Sequence, residues 1–242
     1  MNNLQKASTI IKNASHLVAF TGAGISAESG IPTFRGKGGI WDKYDPTILE
    51  IDYFKNNPEK AWPHIKDMFY NVVDKAQPNP AHHVLAQWEQ KGLLKAIITQ
   101  NIDNLHQKAG NKNVIEFHGN TRDLVCLKCG KITPVKEADM QQNPVLCPHC
   151  GGLLKPDFVF FGEPIPPKAY EESLYHSRKA DVYLIIGTTG IIMPASLLPY
   201  EADRNQAQII EINVAASNYT HTITDIFLEG KASEILELLA NN

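Results

Sequence analysis

The chain has 242 residues, 43% of them apolar and 20% charged, with a formal net charge of −3. That composition supports a sizeable core, in one large domain or one large and one small. The acidic balance and the lack of a Lys/Arg run argue against nucleic acid and membrane surfaces as partners, and no stretch approaches the roughly 18 apolar residues of a membrane span.

Leu4, Ala7, Ile10 and Ile11 give a helical stripe. The surrounding residues 1–14 lack the continuous apolar centre of a signal peptide, so a cytoplasmic location is expected. His16–Phe20 reads as a buried strand that breaks at Thr21-Gly22 into a Gly-rich loop running from Ala23 to about Pro46. Residues 47–75 look helical and aromatic-rich. Pro78-Asn79-Pro80 is a turn, with Asn79 placed to cap a helix over Ala81–Gln90. Leu93–Ile98 and Val114–Phe117 read as further strands. The pattern then breaks over roughly 120–155, which marks an inserted small module. Phe158–Phe161 resumes as a strand, followed by a helix over Pro167–Lys179 and a strand over Asp181–Ile186. A helix over Ser196–Asn205, a strand over Gln208–Ile212 and a helix over Lys231–Ala240 close the chain. Short apolar strands alternating with helices predict an α/β fold with a parallel sheet covered on both faces.

Two motifs carry chemistry. Gly22-Ala23-Gly24-Ile25-Ser26-Ala27 fits G-x-G-x-x-A, a turn that can bring backbone N–H groups to a pyrophosphate; Gly-rich turns after strands are also common as plain structure. The acidic residue that a dehydrogenase carries about 20 positions later at a strand end is missing, because Asp42 lies in loop sequence. Cys126-x2-Cys129-x17-Cys147-x2-Cys150 matches the spacing of a four-cysteine zinc ribbon. Four thiolates close a tetrahedral shell, so the expected zinc is structural, and His149 is the less favoured substitute ligand.

Gly22 through Gly36, reading Gly-Ala-Gly-Ile-Ser-Ala-Glu-Ser-Gly-Ile-Pro-Thr-Phe-Arg-Gly, resembles the signature of the sirtuins. So do Gln100-Asn101-Ile102-Asp103, His118-Gly119, the paired cysteines, Phe161-Gly162-Glu163, Gly187-Thr188-Thr189 and Glu211-Ile212-Asn213, in that order along nearly the whole chain. Sirtuins cleave the nicotinamide–ribose bond of NAD and move an acyl group from lysine onto ADP-ribose. The resemblance implies a Rossmann-like large domain over 1–30, 81–120 and 156–242. A smaller domain is inserted in two pieces, a helical cofactor-loop module over 31–80 and the zinc ribbon over 121–155.

The same resemblance assigns roles. NAD would meet Gly22, Ala23, Gly24, Glu28, Thr33, Phe34, Arg35 and Trp41 in the first segment, and Gln100, Asn101, Ile102 and Asp103 after the second strand. It would also meet His118, then Gly187, Thr188, Thr189 and Asn213, and Ala232 at the start of the last helix. His118 is the candidate general base and Asn101 its catalytic partner; a lone His is more often structural, and the His-Gly context is what singles this one out. An acylated-lysine protein or peptide is the implied partner. Val159, Phe160, Phe161, Gly162 and Glu163 would pair with it on one side and Ile192 and Met193 on the other, by strand addition. Phe160 stands where Trp is common, and Lys155 where Arg is common.

The Gly22–Gly36 segment, its Lys37-Gly38-Gly39-Ile40-Trp41 continuation and the Gly187–Ala195 loop most resemble the class III branch. Many members of that branch read an acidic acyl group with a Tyr-x-x-Arg pair. Ile65 and Met68 occupy those positions here, so neutral acyl groups are expected over succinyl or malonyl. Mono-ADP-ribosyl transfer, NAD sensing without turnover and nucleic-acid binding by the zinc ribbon are the competing functions. The sequence leaves oligomeric state open, with a monomer compatible.

Overall fold

The computed structural model describes residues 2–36, 38–73 and 75–241; Lys37 lies outside the described residues. Nine strands are described: β1 (Leu17–Thr21), β2 (Leu94–Thr99), β3 (Val114–Glu116), β4 (Gly119–Cys126), β5 (Ile132–Pro134), β6 (Leu154–Phe158), β7 (Val182–Ile186), β8 (Gln208–Asn213) and β9 (Ile226–Glu229).

Six of them form one parallel sheet in the order β3-β2-β1-β7-β8-β9. All five residues of β1 are buried, as expected of a central strand covered on both faces. Leu17 and Ala19 face a core shared with the helices Asn3–Lys12, Pro80–Gln90 and Ala232–Asn241. Val18 and Phe20 face the opposite core, which includes Ala180, Leu198 and Ala202 beside the helices Pro167–Lys179 and Leu198–Arg204. Asn79 caps the helix Pro80–Gln90, its side chain accepting from the Ala81 amide at 3.0 Å.

The chain winds outward from β1 through β2 and β3, then returns to β7 and winds the other way. Strand order therefore reverses between β1 and β7. In open α/β sheets, ligands bind outside the carboxyl ends of the strands at such a switch point.

A second core lies outside the sheet. It joins Ile40, Leu49, Phe54, Trp62, Ile65 and Phe69 to Leu124, Val145, Leu154, Phe158 and Phe160. The helical segment and the antiparallel sheet β5-β4-β6 thus share one interior. The Trp62 indole N–H donates to the Leu154 carbonyl at 3.2 Å and pins the two pieces together.

Several expectations change. Phe158–Phe161 does not return to the large sheet. The strand there is Leu154–Phe158, antiparallel to β4, while Phe161 forms an isolated bridge with Glu50. The reason is partner choice: Lys155 and Asp157 break the apolar run that a sheet covered on both faces needs, and β4 supplies a small antiparallel edge instead. The segment 47–75 is broken into short pieces, including a π-helical turn over Lys66–Tyr70. Strands β5 and β9 and the helix Leu105–Ala109 are additions to the sequence reading.

Candidate active site and metal centre

The loops leaving β1 and β7 meet backbone to backbone at the switch point. The Gly22 amide donates to the Ile186 carbonyl at 3.0 Å and the Gly24 amide to the Gly187 carbonyl at 2.8 Å. A Cβ on Gly24 would stand 2.7 Å from the Gly187 Cα, and Gly187 itself sits at φ +62° with no room for a side chain. These glycines are required by the contact between the two loops, because a Cβ at either position would meet backbone. Ala23 is partly exposed at the lip.

Gln100, Asn101, Ile102 and Asp103 emerge from the carboxyl end of β2. The Gln100 side chain donates to Thr188 Oγ1 at 3.0 Å, which bridges the β2 and β7 loops. Asn101 is buried and its amide donates to the Gly22 carbonyl at 3.1 Å and to Ser26 Oγ at 3.2 Å. Ser26 in turn donates to Asp103 Oδ2 at 2.7 Å, while Asp103 Oδ1 accepts from the Leu105 amide at 2.9 Å. Burial raises the Asp103 carboxyl above the usual carboxylate range, partly offset by these donors. The Ile102 carbonyl accepts from the Thr121 amide and hydroxyl, tying this loop to β4.

His118 lies between β3 and β4, partly buried, with Nδ1 3.1 Å from the Gln100 carbonyl. Burial pushes its pKa below the ordinary histidine value, and the carbonyl contact pushes it partway back. Thr188 is buried, and its carbonyl accepts from the Asn213 amide at 2.9 Å. The structure therefore gathers Gly22, Gly24, Gln100, Asn101, Asp103, His118, Gly187, Thr188 and Asn213 along one edge of the sheet.

Thr189 is exposed. Glu28 is committed to the last helix: its carboxylate accepts from the Ser233 amide at 3.1 Å, beside Ala232 at the helix start. That bond gives Glu28 a structural use, because an acidic side chain is favoured at a helix N-terminus. Phe160 is 1% exposed and packs edge-on against Phe54 in the core of the small body, which also holds Ile65 and Met68.

The loop that carries Thr33, Phe34, Arg35 and Trp41 folds onto the small body. Thr33 Oγ1 donates to the Arg35 carbonyl at 2.8 Å, and the Trp41 amide to the Phe34 carbonyl at 3.2 Å. Phe34 contacts Trp41 and Phe69, Trp41 reaches Phe161, and Arg35 is exposed. Ile65 and Met68 are buried in the same core. Phe161 is 43% and Met193 62% exposed, with Ile192 next to Met193 in the chain. The Val159 amide donates to the His118 carbonyl at 2.8 Å, placing the Val159–Glu163 segment directly against the His118 turn.

The four cysteine sulfurs all lie within 4.8 Å of one another, with Cys126 3.5 Å from Cys150 and Cys129 3.9 Å from Cys147. Zinc–thiolate bonds of about 2.3 Å in a tetrahedron set sulfurs about 3.8 Å apart, so the cluster is in position to bind a zinc ion. Gly130 and Gly151, at φ +71° and +67°, turn the chain after each pair, and their amides donate to the Cys126 and Cys147 carbonyls at 2.9 Å. His149 is exposed and stands outside the cluster.

Comparison with known proteins agrees with this geometry. The model of the Sir2 family matches residues 22–194. The chain belongs to the Sir2 family. Among its relatives is a Pyrococcus furiosus protein named NAD-dependent protein deacylase, 45% identical over 242 residues, covering 98% of this chain and 96% of that protein. A solved Sir2 chain with deacetylated p53 peptide and 3'-O-acetyl ADP-ribose matches with a TM-score of 0.93 at 34% identity, covering 98% of this chain and 97% of that one. A Sir2 homologue mutant in complex with ADP-ribose matches with a TM-score of 0.93 at 40% identity, covering 100% and 96%.

A buried polar thread runs behind the site of this Sir2 chain. Asn101 N donates to Thr99 Oγ1, Thr21 donates to Thr99, and Thr21 meets His106 Nε2 at 3.0 Å. The His106 ring lies 4.9 Å from that of His82, tilted by 59°, and His82 contacts Asn79. The hydroxyls of a strand end carry no motif, so only depth reveals them.

Proposed function

We propose that the chain is an NAD-dependent protein-lysine deacylase, yielding nicotinamide, 2'-O-acyl-ADP-ribose and free lysine. One observation carries the reading: a partly buried imidazole, its Nδ1 held by the Gln100 carbonyl, stands at the carboxyl edge of a parallel sheet beside the switch point. A carbonyl only accepts, so the Nδ1 proton is the one donated and Nε2 keeps a lone pair.

NAD supplies the anomeric carbon that takes the acyl oxygen as nicotinamide leaves. The residues of this chain bind, orient and move protons around it. Gly22 and Gly24 let the backbone approach the pyrophosphate, and Asn213 and Thr188 lie where the adenosine half would extend. The Asn101 amide donors are spent on Gly22 and Ser26, which leaves its carbonyl to face a ribose hydroxyl or a water. Asp103, fixed by Ser26 and Leu105, accepts the nicotinamide amide on its remaining lone pairs. His118 Nε2 removes the ribose hydroxyl proton so that the oxygen can attack the acyl carbon; one water then adds at that carbon, its C–N bond breaks and lysine leaves as the free amine. Phe34 and Trp41 form an aromatic wall that excludes water.

The acyl group is neutral in this reading, acetyl or longer. Ile65 and Met68 are 0% and 4% exposed and offer no donor, so a carboxylate beside them would be desolvated without a partner. We further propose a cytoplasmic chain that takes neither nucleic acid nor membrane as a partner, a reading supported by the net charge of −3 and tested by cell fractionation and by DNA and vesicle binding at low salt. No described helix is long and apolar enough to cross a membrane.

Mass spectrometry of products from NAD and acetyl-, succinyl- and myristoyl-lysine forms of one peptide tests reaction and preference together. Acyl-ADP-ribose is expected, with the neutral acyl groups ahead in kcat/KM. Label from NAD retained on protein would point to ADP-ribosyl transfer, and succinyl in the lead would overturn the acyl preference.

A further inference from the structure

Lys155 is 4% exposed, in the interior of the small body. An ammonium has three N–H groups, and this one meets three oxygens: the Pro156 carbonyl at 2.7 Å, the Phe158 carbonyl at 2.6 Å and Glu163 Oε2 at 3.0 Å. The Phe160 ring lies 4.4 Å from the same nitrogen. Glu163 Oε2 also accepts the Phe160 amide at 2.8 Å, and the Glu163 amide donates to the Phe160 carbonyl at 3.0 Å. The chain from Pro156 to Glu163 is wound around one cation.

A buried ion pair is a poor source of stability. Its desolvation cost roughly cancels its attraction, and an apolar side chain of similar volume often fills the same space as well. What such a pair can do is select one backbone conformation. The conformation selected here is that of Val159–Glu163, the edge assigned to the substrate peptide. That edge is fixed from a second side by backbone bonds: the Val159 amide to His118, the Phe161 amide to the Leu49 carbonyl at 2.8 Å, and the Ile51 amide to the Phe161 carbonyl at 3.0 Å. The amides of Val159, Phe160, Phe161 and Glu163 are all engaged within the chain. Pairing with a peptide therefore falls to outward carbonyls and to Gly162, held at φ +89° between Phe161 and Glu163. A small rotation of this turn would move those groups and Phe161 out of register with an extended strand.

We propose that Lys155 is a positioning residue for the peptide part of the substrate: a charge at the centre of the 156–163 turn that sets the register of the edge on which acyl-lysine peptides pair. The proposal rests on the deacylase reading. The full zinc-loaded chain is first assayed with NAD and acetyl-lysine peptide. Absence of turnover in the unaltered protein would end the deacylase reading itself.

With turnover present, Lys155→Met removes the charge at similar volume. Its peptide KM should rise about tenfold or more while kcat and the KM for NAD stay within about twofold; Lys155→Arg, which keeps the charge, should restore the peptide KM to within about threefold. Zinc content and the thermal transition are measured on each variant. An unchanged peptide KM overturns the proposal, and so does an equal loss in all three constants, which marks a merely structural role. Should Lys155→Met fail to fold, Lys155→Gln decides, since it removes the charge and keeps an amide donor for the Pro156 and Phe158 carbonyls. A raised peptide KM alone supports the clamp, and an unchanged one overturns it.

Discussion

His118 and Gln100 are joined through the imidazole Nδ1 and a backbone carbonyl 3.1 Å away. The bond fixes both the ring and its tautomer, and it ties the base to the same loop that holds Asn101 and Asp103.

Burial lowers the His118 pKa, so the free base dominates at neutral pH. The acid limb of kcat/KM should fall below the ordinary histidine value of about 6.5. His118→Ala should cost about 10²–10⁴ in kcat/KM. A pH–rate profile with its acid limb above pH 7 would contradict this geometry.

A Cβ added to Gly24 would meet backbone, not a side chain that could swing away: the Gly187 Cα at 2.7 Å and carbonyl oxygen at 2.8 Å. Gly24→Ala should therefore push the β1 and β7 loops apart, destabilise the fold by on the order of 2 kcal/mol and raise the KM for NAD. Thermal melting and NAD titration read the two effects.

The cysteine cluster predicts one zinc per chain by elemental analysis. Structural zinc in small modules is worth an apparent 10–16 kcal/mol or so, comparable to the whole stability of a domain. Cys147→Ser, at a buried ligand position, should release the metal, unfold the β4–β6 sheet and abolish turnover. A metal-free variant with an unchanged near-ultraviolet spectrum would count against a structural ion.

Acid should destabilise the fold through the buried histidines. Burial holds His82 at about 4, and His106 is also driven well below its ordinary value. A group whose folded pKa is depressed stabilises fully above its unfolded pKa and loses that contribution as pH falls toward the folded one. The window is thus about 6.5 down to about 4, with His82 contributing on the order of 3 kcal/mol. Urea unfolding at pH 7.5 and 4.5 should differ accordingly, and His82→Asn should flatten the difference.

The large sheet was legible because its strands are continuous apolar runs bounded by Gly or polar turns, as in β1 and β7. The cysteine spacing was legible because zinc demands four thiolates in pairs. β6 was misplaced by several residues: Lys155 and Asp157 lie inside it, and its partner β4 belongs to a separate sheet. β9 is a brief apolar run beside polar loop, too short to declare a period. In the sequence Ser26 is one letter of the Gly-rich motif. Its burial and its bonds to Asn101 and Asp103 arise from tertiary packing, which no local pattern reports.

The common interior of residues 40–70 and 124–160 has an evolutionary corollary. Neither insertion owns a complete hydrophobic centre, so neither could have been acquired, lost or transplanted alone without leaving Trp62 or Leu154 facing water. The two must be inherited as a unit, and grafting experiments that move the metal ribbon by itself should yield insoluble chimaeras.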